Sequence, residues 1–143
     1  MSFTTCVVVM AGGALGTLAR YLISIMALPI SRELPWGTII INITGSFAIG
    51  LFGTLTLAQG RFPVSENMRL FVMIGFCGGY TTFSSFSLQT LDLMRNGAMV
   101  RAAINMLVSL ALCVAAVAVG HALAAHFNGG AHRIAQIDIE EEA

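Results

Sequence analysis

Residues 75–90 read GFCGGYTTFSSFSLQT and sit inside a stretch otherwise apolar enough to cross a bilayer. Thr81, Thr82, Ser84, Ser85, Ser87 and Thr90 crowd hydroxyls into it, and Phe83 and Phe86 fall three apart, on one face of a helix. A hydroxyl can donate a hydrogen bond, and the edge of an aromatic ring carries the positive part of its quadrupole. Both suit an anion, above all a small one of high charge density. Packing against lipid or a core explains most phenylalanine pairs in membrane helices; the flanking hydroxyls are what favour the anion here. The glycines at 78 and 79 add a second chemistry. Each weakens a helix by about 1 kcal/mol, and irregular backbone at membrane depth is tolerated only where protein or a wet cavity satisfies it. A break at 78–79 frees carbonyl oxygens over 78–81, which can coordinate a hard cation such as Na⁺.

Donors elsewhere extend the same theme. Thr38, Asn42, Ser46 and Gly50 are spaced by four and share one helix face. The Asn42 amide must find partners in hydrocarbon; it serves either a pathway or subunit contact, or is a satisfied structural asparagine. Arg20 lies near the end of an apolar run. An arginine inside a membrane helix costs about 2.5–3.5 kcal/mol unless it snorkels, so it either reaches the interface or makes an electropositive vestibule. Asn105, Ser109 and Cys113 form another row at spacing four. Carboxylates are missing from the centres of the apolar segments, so a proton relay of the kind coupled transporters use has no candidate. Nor is there a nucleophile with its base, a metal cluster or a phosphate loop. The chain reads as something other than an enzyme.

The elements that must position these residues follow from composition. The 143 residues are 57% hydrophobic and 10% charged, against about 25% charged in a soluble domain. Zero net charge excludes an electrostatic footprint for nucleic acid. The class is an all-α integral membrane protein with four transmembrane helices, over residues 4–28, 36–58, 68–96 and 98–125, each long enough for a hydrocarbon core of about 30 Å. A signal peptide over the first segment is disfavoured because no basic residue precedes it. Gly12 and Gly16 make a GxxxG that permits close helix approach. Trp36 stands where an interfacial anchor belongs. The third segment is long enough for two half-helices around the glycine pair. His121 and His126 approach a membrane boundary and read as interfacial. Cys6, Cys77 and Cys113 fall in apolar stretches and read as reduced thiols. Residues 1–126 form one four-helix transmembrane domain, and 127–143 a polar, acidic, disordered tail.

Four crossings put Arg20, Arg32, Arg95 and Arg101 on one side and Arg61, Arg69 and Arg133 on the other. The arginine excess that sets orientation is nearly absent. A chain with so weak a bias can insert both ways, which invites an antiparallel, dual-topology homodimer about a two-fold axis in the membrane plane.

GGALGTLARY, WGTIIINITGS and above all GFCGGYTTFSSFS resemble the fluoride channels of the CrcB/Fluc family. The resemblance spans residues 12–120, and its third motif is long and specific. It implies an antiparallel homodimer with two pores in the inner membrane of a bacterium, exporting fluoride passively and lowering its cytoplasmic concentration. It places Phe83 and Phe86 in the aromatic pair lining the pores, Asn42 as the pore asparagine and Arg20 as the vestibule arginine. It implies a structural Na⁺ at the dimer centre, held by the backbone carbonyls of Gly78 and Thr81. Ser84, Ser85, Thr38 and Ser109 fall where the family places polar pore-lining or supporting groups. Gln89 departs from an expected glutamate, which removes charge and proton-linked behaviour there. Cys113 and Val117 stand where hydroxyls can occur, so the hydroxyl track on the last helix is shortened. The alternative is a small dual-topology multidrug exporter, which normally needs a glutamate in its first helix; this first helix has no acid. A non-transporting assembly subunit would explain the small residues but not the clustered donors.

Overall fold

The computed structural model describes residues 2–57 and 61–129, and among them every regular element is helical. The elements are α1 (Phe3–Met26), a short 3₁₀ turn (Leu28–Ile30), α2 (Trp36–Leu55), α3 (Glu66–Arg69), a π-helical run (Leu70–Cys77), α4 (Gly78–Tyr80), α5 (Phe83–Arg95) and α6 (Met99–Phe127). Four stretches are long and apolar enough to cross a membrane: Phe3–Met26, Trp36–Leu55, Glu66–Arg95 and Met99–Phe127. The shortest has 20 residues, about 30 Å at 1.5 Å per residue, which matches a hydrocarbon core. Large apolar side chains face outward, among them Val100, Leu107, Leu110 and Val114 on α6. That surface is costly in water and natural in lipid. Expected and observed boundaries agree within a few residues, except that α2 stops at Leu55 rather than at position 58. The expected tail lies almost wholly outside the described residues.

Local chemistry sets the ends. The Ser2 hydroxyl accepts from Thr4 N–H to start α1, and the Ser65 hydroxyl accepts from Met68 N–H to start α3, each satisfying a donor the first turn leaves free. Ser31 folds the first turn back by donating to the Ala27 carbonyl (2.8 Å) and accepting from Gly37 N–H (3.2 Å). After α5 the chain reverses at Gly97, whose φ of 75° suits glycine. The carbonyls at the end of α2 are closed by distant groups. Arg69 Nη1 donates to Gly53 O (3.3 Å), Thr56 O (2.8 Å) and Thr56 Oγ1 (2.8 Å), and Asn128 Nδ2 donates to Thr54 O (2.7 Å). A cation at a helix C-terminus is favourable, and these bonds tie α2 to the elements on both sides.

The packing has two halves. α1 lies mainly on Leu70–Cys77 and α4, and α2 mainly on α6. Gly12 and Gly16 allow the first contact. A Cβ on Gly12 would stand 3.0 Å from Gly75 Cα, and one on Gly16 would overlap the Phe76 carbonyl oxygen. The partner of the GxxxG is therefore the third stretch of the same chain. Between α2 and α6, Gly50 faces the Val117 backbone and Gly120 the Phe47 backbone. His121 belongs to this contact: its Nδ1 lies 2.9 Å from Thr54 Oγ1, with Thr54 fully buried. It is a packing residue of the α2–α6 seam. The three thiols are free, Cys77 buried and the others half-buried.

The glycine pair is not where the backbone leaves the helix. Gly78 and Gly79 are helical within α4, and Gly78 has φ −64° and ψ −39°. The extended residues are Thr81 (φ −76°, ψ 158°) and Thr82 (φ −152°, ψ 110°). Gly79 serves close approach instead: a Cβ there would meet Gly13 O at 2.6 Å.

Candidate functional site

Thr82 explains how the extended pair is held. In a continuous helix its N–H would close on the Gly78 carbonyl. Here it donates to Asn42 Oδ1 at 2.8 Å, and Asn42 Nδ2 donates to Thr82 O at 3.1 Å. One amide side chain on α2 thus replaces the helical partners of one residue, which satisfies both backbone groups at membrane depth. The Thr82 hydroxyl caps α5 by accepting from Ser85 N–H (3.2 Å) and donates its own hydrogen to Ser85 Oγ (3.0 Å). Thr81 folds its hydroxyl back onto Cys77 O (2.9 Å).

Beside this junction lies a cavity of about 550 Å³, lined by Asn42, Ser46, Gly78, Thr81, Thr82, Phe83, Phe86, Ser109 and Cys113, with apolar side chains between them. None of its lining residues is charged. The Phe83 and Phe86 rings stand 5.4 Å apart at centroids, tilted by 43°. Phe83 is 79% exposed at the surface of the chain, and Phe86 is half-buried. α5 begins at Phe83, and the N-terminus of a 13-residue helix adds partial positive charge. The cavity offers hydrogen-bonding side chains, two aromatic rings and a helix N-terminus, with no carboxylate to repel an anion.

The expected site residues divide. Asn42, Gly78, Thr81, Phe83, Phe86 and Ser109 line this one cavity. Ser84 and Ser85 sit on the first turn of α5 outside its lining, Ser84 exposed and Ser85 half-buried. Thr38 lines a second cavity of about 350 Å³ with Ser24, Arg32, Gln89, Asp92 and Asn96. Gln89 Oε1 is buried there without a hydrogen-bond partner among the described residues. Arg20 lines neither cavity and is half-buried. The row at spacing four on α2 runs from one cavity to the other, with Thr38 on the first and Asn42 and Ser46 on the second.

A supporting ladder escaped the sequence reading. Asn105, fully buried on α6, donates from Nδ2 to Thr90 Oγ1 (2.8 Å), and Thr90 donates to the Phe86 carbonyl (2.7 Å). Ser109 Oγ donates to Asn105 Oδ1 (3.4 Å). The spacing-four row on α6 was the available signal, but its partner Thr90 lies on another helix. Thr82 was visible only as one hydroxyl among several.

The family model described as CrcB-like protein, Camphor Resistance (CrcB), matches residues 7–121. The chain belongs to the CrcB family. Arg20, Thr38, Asn42, the extended pair, both phenylalanines and Ser109 all fall inside the matched range. Among CrcB relatives, the fluoride-specific ion channel FluC of Methylobacterium radiotolerans is 78% identical over 142 residues, 99% of each chain. The protein of the same description from Gluconobacter oxydans is 71% identical over 144 residues, 100% of each. A third, from Methylocella silvestris, is 54% identical over 121 residues, 84% of this chain and 92% of that one. Membership of the CrcB family together with four membrane-competent helices makes this a multi-pass membrane protein.

Proposed function

We propose that the chain is a passive, fluoride-selective ion channel of the cell (inner) membrane, exporting fluoride and lowering its cytoplasmic concentration; it is not an enzyme. The observation that carries the choice of ion is the description of relatives 78% and 71% identical as fluoride-specific ion channels. The geometry supports it. Fluoride is small and strongly hydrated, so a dry site must replace water with donors and offer no negative charge. The uncharged cavity at Phe83, Phe86 and Asn42 meets that need. Ser109 supports the cavity wall, and the α2 row from Thr38 leads into it. Ser84 and Ser85 extend the polar path along α5, and Arg20 raises anion concentration at a mouth. No observation favours the multidrug-exporter alternative.

In this reading Glu66–Tyr80 and Phe83–Arg95 are the two halves of an interrupted third helix. Two copies assemble as an antiparallel homodimer, for which the near balance of arginines between the two sides is the supporting feature. The Gly78 and Thr81 carbonyls fit a hard cation: Asn42 takes the N–H that would bond Gly78 O, and Thr81 lies outside regular helix. A Na⁺ there would neutralise those oxygens and pin the two copies together.

Phe83→Ile and Phe86→Ile test the site. Each is expected to cut fluoride flux from liposomes by about tenfold, the upper end of what a ring contact contributes (about 1.5 kcal/mol), with the assembly intact by size exclusion. Unchanged flux in both variants would remove the rings from the mechanism.

A further inference from the structure

The cavity beside Phe83 and Phe86 is lined by five O–H or amide N–H side chains: Asn42, Ser46, Thr81, Thr82 and Ser109. Following each hydrogen separates them. Thr81 gives its hydroxyl hydrogen to Cys77 O, Thr82 to Ser85 Oγ, and Ser109 to Asn105 Oδ1. Asn42 gives one amide hydrogen to Thr82 O and keeps the other. Ser46 differs: its hydroxyl makes no hydrogen bond to any described residue, although a helical serine can readily bond the carbonyl one turn back. Ser46 is half-buried, lines the cavity, and its oxygen is not among the sealed, unsatisfied atoms of the described residues, so it opens to the cavity.

We infer that Ser46 is an anion-binding residue of the pathway, its hydroxyl acting with the remaining Nδ2 hydrogen of Asn42 as a donor pair. The two residues are four apart on α2, so their Cβ atoms lie about 5–6 Å apart on one face, a span one small anion can bridge. Only these two of the five can donate to an anion without first breaking an internal hydrogen bond. A donor that need not be freed is worth more to a site than one that must be. The inference rests on the fluoride-channel reading.

The test is fluoride and chloride efflux from liposomes holding wild-type protein, Ser46→Ala or Ser46→Thr. Losing one hydrogen bond to a charged ligand predicts that Ser46→Ala lowers fluoride flux about tenfold, raises the half-saturating fluoride concentration and narrows the preference over chloride. Ser46→Thr, which keeps the hydroxyl, restores all three. If alanine fails to yield monodisperse protein, the near-isosteric Ser46→Cys carries the same prediction. Wild-type fluoride flux with Ser46→Ala unchanged overturns this inference alone. Absence of wild-type fluoride flux overturns it together with the reading it rests on.

Discussion

Gly16→Val is expected to prevent the chain from reaching a folded, monodisperse state. α1 meets the third stretch backbone to backbone. A Cβ on Gly16 would overlap the Phe76 carbonyl oxygen and stand 2.9 Å from Phe76 C and Tyr80 N. Those atoms are backbone and cannot rotate away, so α1 must lift off. That movement also opens the Gly12–Gly75 and Gly13–Gly79 contacts along the seam. Overpacking costs about 1–3 kcal/mol where side chains can yield. Where only backbone can yield, the cost should exceed about 3 kcal/mol. Lipid supplies no hydrophobic force to hold two helices together once close packing is lost. Gly13→Ala is the control. Its Cβ would lie 3.9 Å from Gly75 O, an ordinary contact, and it should keep wild-type thermal stability within about 0.5 kcal/mol. Size exclusion and thermal melting in detergent read both variants. Equal behaviour of the two would mean the close approach at Gly16 is not what holds α1 in place.

Asn42→Leu is expected to cost stability and conduction together. The substitution leaves Thr82 N–H and Thr82 O without their partner. Each backbone group left unpaired away from water costs about 1–3 kcal/mol, so the pair should cost about 3 kcal/mol. Fluoride flux should fall at least about tenfold, the worth of one hydrogen bond to a charged ligand. Asn42→Asp is the harsher variant. Its carboxylate can still accept from Thr82 N–H but cannot donate to Thr82 O, and a charge inside a membrane helix costs about 2.5–3.5 kcal/mol. It should be no more stable than Asn42→Leu and conduct no better. Asn42→Leu with wild-type stability and flux would show that the amide neither holds the extended pair nor lines the path.

What the sequence made legible is local. Apolar runs of bilayer length and the Trp36 start are written in adjacent residues, and the helices follow them closely. What it hid is long-range. Gly78 and Gly79 looked like the break because glycine weakens a helix. The backbone instead extends at Thr81 and Thr82, because Asn42, forty positions earlier, offers both hydrogen bonds that Thr82 needs. Gly79 is wanted for its missing Cβ against Gly13 of α1, a partner that spacing alone cannot name. His121 looked interfacial because it lies near a helix end; Thr54, sixty-seven positions away, makes it part of a seam. The same limit applied to the site. The rings, Asn42 and Ser109 are legible by type, whereas the uncommitted hydroxyl of Ser46 is not, because the acceptors that take the hydrogens of Thr81, Thr82 and Ser109 are set by the folded chain.

A passive fluoride channel passes fluoride in preference to other halides without a coupled ion. Liposomes loaded with equal fluoride and chloride, holding purified wild-type protein and no proton or sodium gradient, test it most directly when the efflux of each anion is followed with an ion-selective electrode. Rapid release of fluoride is expected once charge balance is provided by a potassium ionophore, with chloride retained. Release of both anions at equal rates, or of neither, would contradict it.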